Sequence, residues 1–150
     1  MKNPNTLKRC VMVFAAVLTC FLTSSTFAEQ KKTFGKYDMH YVASNTAMLT
    51  PQIAKIYKIQ RSKSKGIVTI AVRDTDSDKA SEALIRGSVK NALGQMQSLD
   101  FAIAKDQSAI YYLAVFNFAD LDIMKFSILV TPDGSSDTHV IEFDQQFFVE

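Results

Sequence analysis

The chain is 150 residues long, room for one domain, and carries 17 basic and 15 acidic residues for a net charge of +2. Residues 1–28 hold three of the basic residues (Lys2, Lys8, Arg9), both cysteines (Cys10, Cys20) and no acid, so residues 29–150 keep 14 basic against 15 acidic residues, a net −1, and are free of cysteine. With only 5 Gly and 3 Pro as well, this composition excludes a strongly basic nucleic-acid binder, an acidic disordered chain, a disulfide scaffold and a low-complexity repeat.

The first element is a predicted leader. Lys2, Lys8 and Arg9 precede an apolar run over residues 11–22, interrupted only by Thr19 and Cys20, and a small polar stretch ends at Ala28. Twelve helical residues rise about 18 Å, short of the ~30 Å hydrocarbon core, so the pattern is a cleavable signal peptide cut near Ala28, not an anchor. Cys20 lies inside the apolar run behind Thr19, which argues against lipidation there. No twin arginine precedes the run, so export unfolded by the general route to the periplasm is expected, with no cofactor and no transmembrane segment after cleavage.

Residues 29–35 are polar and read as a flexible leader. From Lys36 to Ala43 the sequence alternates, with Tyr37, Met39, Tyr41 and Ala43 on one face, which predicts a half-buried strand. Thr50-Pro51 is a helix start, and Ile53, Ile56 and Tyr57 at helical spacing predict a helix of one to two turns with that edge inward. Residues 60–65 form a polar basic loop. The β-branched run over 66–73 predicts a central strand, and Asp74-Thr75-Asp76-Ser77-Asp78 a turn. Further strands are expected over 83–91 (Ile85, Val89 inward), around Leu99, Phe101 and Ile103, over 109–118, over 123–130 and from Thr138 to about Phe148. The run 109–118 is the most apolar, and Thr131-Pro132-Asp133-Gly134 suits a type I turn.

Seven strands, one short helix after the first strand and no βαβ rhythm predict an all-β fold: an antiparallel, immunoglobulin-like β-sandwich over residues 29–150, with a barrel of similar strand count as the alternative. Several local runs then carry a family resemblance. Tyr37-Asp38-Met39-His40-Tyr41, Leu49-Thr50-Pro51 with Ile53-Ala54-Lys55-Ile56-Tyr57, Arg61-Ser62-Lys63, Asn91-Ala92-Leu93-Gly94-Gln95, Ala109-Ile110-Tyr111-Tyr112 and Gln146-Phe147-Phe148-Val149-Glu150 together resemble a family of exported Gram-negative bacterial proteins, domain of unknown function 4426. The resemblance spans nearly all of residues 30–150. It implies a periplasmic β-sandwich and carries no catalytic residues across.

Little in the sequence points to catalysis. Asp74, Asp76 and Asp78 match the first ligands of a calcium loop, but Lys79 and Ile85 stand where that loop needs Gly and Glu; a weak calcium-binding module is kept as an alternative. His40 and His139 are isolated in sequence, and a catalytic zinc site wants three protein ligands. No Gly-x-Ser-x-Gly elbow or phosphate loop is present, which leaves only an envelope hydrolase whose site is assembled from dispersed residues. The charge pattern is more informative. From Thr50 to Arg73 there is no acid, while Lys55, Lys58, Arg61, Lys63 and Lys65 form a basic helix and loop. The expectation is a non-enzymatic binding or accessory module of the cell envelope, with those five residues as the contact for an envelope protein or an anionic envelope component and no nucleic acid.

Overall fold

The structure, a computed structural model, describes residues 30–149, so the predicted leader and cut site lie outside the described residues. Among the described residues nine strands form two antiparallel sheets. They are β1 (Gln30–Phe34), β2 (Tyr37–Asn45), β3 (Lys65–Asp74), β4 (Ala83–Lys90), β5 (Met96–Leu99), β6 (Ala102–Asp106), β7 (Ala109–Asn117), β8 (Ile123–Pro132) and β9 (His139–Gln146). The five-stranded sheet runs β1-β2-β3-β7-β6 and the four-stranded sheet β5-β4-β8-β9. Between β2 and β3 come a 3-10 turn (Thr46–Met48) and a short α-helix, α1 (Pro51–Ile56), the one α-helix among the described residues. Among the described residues no helix is long and apolar enough to cross a membrane.

The antiparallel β-sandwich expected from the sequence is present, with nine strands where seven were read. β1 forms in the stretch read as a flexible leader: its polar side chains suit an edge, and it pairs along its whole length with β2 across Gly35, whose φ of +58° turns the hairpin. The helix therefore follows the second strand. The stretch around Leu99, Phe101 and Ile103 divides into β5 and β6. Leu99 faces the core of the four-stranded sheet, and three residues later the chain has joined the other sheet, pairing Ala102 with Leu113. β5 and β6 are thus one strand bent from sheet to sheet at Asp100-Phe101.

Alternation puts the apolar half of each strand between the sheets. Met39, Val68, Ile70 and Val72 meet Val89, Met124, Ile128, Val130 and Ile141, all essentially inaccessible to water. Near one end the core is aromatic: Phe116 stands edge-on to Phe126 (5.1 Å) and Phe147 (5.2 Å), and Phe126 stacks on Phe143 (4.5 Å). Polar side chains tie the sheets at their margins. The Gln97 amide donates to the Asn117 carbonyl (2.7 Å) and its Oε1 accepts from the Asn117 N–H (2.9 Å), supplying the strand partner that β6 starts too late to provide. Opposite, Gln145 donates to the Ala43 carbonyl and Lys32 to that of Glu142.

Candidate functional site

The outer face of a sandwich sheet is ordinarily polar, but here β7 carries apolar residues on both faces and β3 adds Ile67 beside them. Ile67 on β3 and Leu113 and Val115 on β7 point away from the core, where α1 and the following loop lie over them. Thr50 caps α1 through its Oγ1, which accepts from the Ile53 N–H (3.3 Å), and Pro51 follows at the first helical position. The helix closes in a Schellman arrangement: Ile59 N–H donates to Ala54 (2.8 Å) and Lys58 N–H to Lys55 (3.3 Å). Lys58 occupies the left-handed position of that motif, φ 53°, where glycine is usual. The loop is then pinned. Thr46 Oγ1, fully buried, exchanges hydrogen bonds with the Ser62 backbone (3.0 and 3.1 Å), and Asn45 Nδ2 donates to the Lys63 carbonyl (3.3 Å).

Ala54 is the buried residue of the helix, and Ile67 and Ala104 are buried outside the main core. Ile53 and Ile56, read from their spacing as the inward edge, are 41% and 66% exposed. The difference has a physical cause: six helical residues laid flat on a sheet bring only one small side chain into contact, and the larger ones flank it. They wall two adjoining hollows of about 560 and 250 Å³ that share Tyr57, Ile59, Ala104 and Leu113. The larger opens between Ile56 and the β6 edge; the smaller runs under Ile53 to Tyr111.

Of the five basic residues singled out in the sequence, Lys58 and Lys65 line the larger hollow, and Lys65 donates to Gln60 Oε1 (2.7 Å). Lys55 is exposed in the last helical turn, where a cation suits the carbonyl end. Arg61 turns back to the Ala47 carbonyl (2.7 Å) and serves the loop. Lys63 is exposed beside it. Asp100 lines the larger hollow and Asp106 the smaller. The floor residues Leu113 and Val115 were not foreseen as a site. Their signal was present: the run 109–118 is apolar at odd and even positions alike, which asks for cover on both faces.

The other candidates fall elsewhere. Asp74 Oδ1 accepts from Ser77 N–H (2.8 Å), Ser77 Oγ (2.7 Å) and Asp76 N–H (3.2 Å), while Asp78 pairs with Arg73 (2.7 Å), so these carboxylates build a turn. Those donors, the Ser77 N–H foremost, hold the Asp74 carboxyl below its ordinary 3.8. Among the described residues no three His, Cys, Asp or Glu side chains gather as a metal site. His40 lies on β2 in the five-stranded sheet, and His139 on β9 in the other sheet, stacked on Phe34 at 4.7 Å.

Three comparisons bear on this geometry. The model of the family described as Domain of unknown function (DUF4426) matches residues 31–150. A crystal structure of a DUF4426 family protein from Pseudomonas aeruginosa PAO1 is 30% identical, covering 81% of this chain and 96% of that one with a TM-score of 0.72. FetP of uropathogenic Escherichia coli strain F11 shares the fold at 12% identity: a copper-bound single-residue variant covers 80% of this chain and 95% of its own (TM-score 0.55), and the protein as isolated after recombinant expression in the periplasm covers 81% and 94% (TM-score 0.56). No curated protein matches the sequence.

Proposed function

We propose that this chain, which belongs to the DUF4426 family, is an exported periplasmic binding module of the cell envelope that works without catalysis and takes an anionic partner on α1 and the loop after it. The observation that carries the reading is the apolar patch of Ile67, Leu113 and Val115 on the outer face of the five-stranded sheet, walled by α1 and its loop, with Lys58 and Lys65 at the larger hollow. An exposed apolar recess beside a basic segment without acids from Thr50 to Arg73 suits a partner that brings both apolar surface and negative charge. Loops held on a rigid sheet are common carriers of such contacts.

Export rests on the basic, apolar and small-residue pattern of residues 1–28. The copper of the FetP variant belongs to that protein; at 12% identity the likeness is one of fold, and the function proposed for this chain includes no metal.

The test is crosslinking in periplasmic extract, comparing the native sequence with a Lys58→Gln, Lys63→Gln, Lys65→Gln triple variant. Arg61 is left in place because it holds the Ala47 carbonyl. The variant is expected to fold normally and to capture less of an anionic partner, the difference shrinking as salt shortens the ~8–10 Å Debye length. Equal capture of the same partners at low ionic strength would overturn the assignment.

A further inference from the structure

We propose that the paired hollows form one binding site for a single fatty carboxylate. The inference rests on the reading of α1 and its loop as the contact surface and names what occupies it. Together the hollows fall within the 300–1,000 Å³ range usual for small-molecule sites. Their polarity is graded along the length. The smaller hollow is walled by Leu49, Ile53, Ile67 and Tyr111, with Thr69 and Asp106 as its polar members. The larger adds Lys58, Lys65, Gln60 and Asp100.

That gradient orients an amphiphile. The chain lies on the shared strip of Tyr57, Ile59, Ala104 and Leu113 and enters the smaller hollow, while the head remains at the basic end. The charge at that end selects the head: two ammonium groups and one carboxylate leave one net positive charge, which a singly charged carboxylate matches and an ammonium opposes. Gln60 gives its Oε1 to Lys65, leaving its amide N–H groups as donors beside the ammonium. The pinned loop sets these groups before the ligand arrives, which lowers the ordering cost of binding.

The experiment titrates the exported protein with dodecanoate, dodecylamine and dodecyl maltoside, each below its micelle concentration, by calorimetry and native mass spectrometry. Dodecanoate is expected to bind saturably at one per chain, at least about tenfold tighter than either other amphiphile. A Lys58→Gln, Lys65→Gln variant should weaken dodecanoate about tenfold and leave the maltoside unchanged. Ile56→Asn, at a position 66% exposed and therefore safe for folding, should weaken dodecanoate and the maltoside alike. Equal binding of the three heads, no saturation at one per chain, or association only with sedimented anionic phospholipid vesicles each overturns the proposal. If dodecanoate fails to bind while periplasmic capture still depends on Lys58, Lys63 and Lys65, the ligand assignment is wrong and the binding-module reading stands. If both dependences are lost, both are wrong.

Discussion

Gly66 offers a sharp test of the packing. It is the second residue of β3, opposite Phe116, and a Cβ placed on it would meet three atoms of that ring at 2.2, 2.5 and 2.8 Å. Ordinary carbon contacts lie at about 3.5–4.0 Å, so the ring would have to retreat by more than about 1 Å. It has little room: Phe116 is 2% exposed and held edge-on by Phe126 and Phe147. Overpacking of this kind costs typically 1–3 kcal/mol, and the confinement puts Gly66→Ala at the top of that range. The reduced freedom of alanine in the unfolded chain returns about 0.5–1 kcal/mol, leaving a net loss of about 2 kcal/mol. For a domain of this size that lowers Tm by roughly 8 °C. Equilibrium urea unfolding and calorimetry of residues 29–150 read it directly. Phe116→Leu, which shortens the offending group, should partly rescue Gly66→Ala, with a coupling of at least about 1 kcal/mol in the double-mutant cycle. A Gly66→Ala variant within 0.5 kcal/mol of the native protein, or strictly additive losses in the double variant, would refute the reasoning.

Three further outcomes are expected. Lys58→Gly should raise stability by about 0.5–1 kcal/mol in urea unfolding, because it removes a side chain from the left-handed position closing α1. Gln97→Ala should cost about 1–2 kcal/mol and speed hydrogen exchange at the Asn117 amide, since one carboxamide serves both backbone groups of that residue. Asp38, bonded by Thr33 and Lys31, and Asp74, bonded by Ser77, both titrate below their ordinary 3.8. A folded value below the unfolded one adds stability that is complete above 3.8 and is lost as pH falls through the folded value. Stability of the native protein should therefore drop more steeply with acid than that of an Asp38→Asn, Asp74→Asn variant, as followed by unfolding between neutral pH and the acid limit.

The sandwich was legible wherever one face of a strand meets the core and the other meets water. Tyr37 to Ala43 and Met124 to Val130 alternate in sequence as they do in burial. β1 was not legible, because an edge strand carries polar residues on both faces and its pairing is decided by β2, not by its own composition. The division of β5 from β6 was hidden for a related reason: Leu99, Phe101 and Ile103 continue a period of two through the bend, and periodicity does not record a change of sheet. At the site, the sequence pointed to the basic segment but not to its floor. Charges adjoin one another along residues 55–65, whereas Ile67, Ala104 and Leu113 meet only after three strands have paired. Arg61 shows the limit of charge counting: its guanidinium is occupied by a backbone carbonyl.

The bend at Asp100-Phe101 makes the two sheets share one phase. Because side chains alternate, removing a single residue there would invert the side-chain direction of whatever follows, and two demands would collide. Leu99 must enter the main core, and Ala104 must turn the other way, beneath α1. No shift of β6 along β7 meets both. Point substitutions at the exposed Asp100 should leave folding nearly unchanged, while a one-residue deletion at the same place would uncouple the wall of the paired hollows from the sandwich that supports it. For the fold, length at this bend, more than chemical identity, is therefore the heritable constraint.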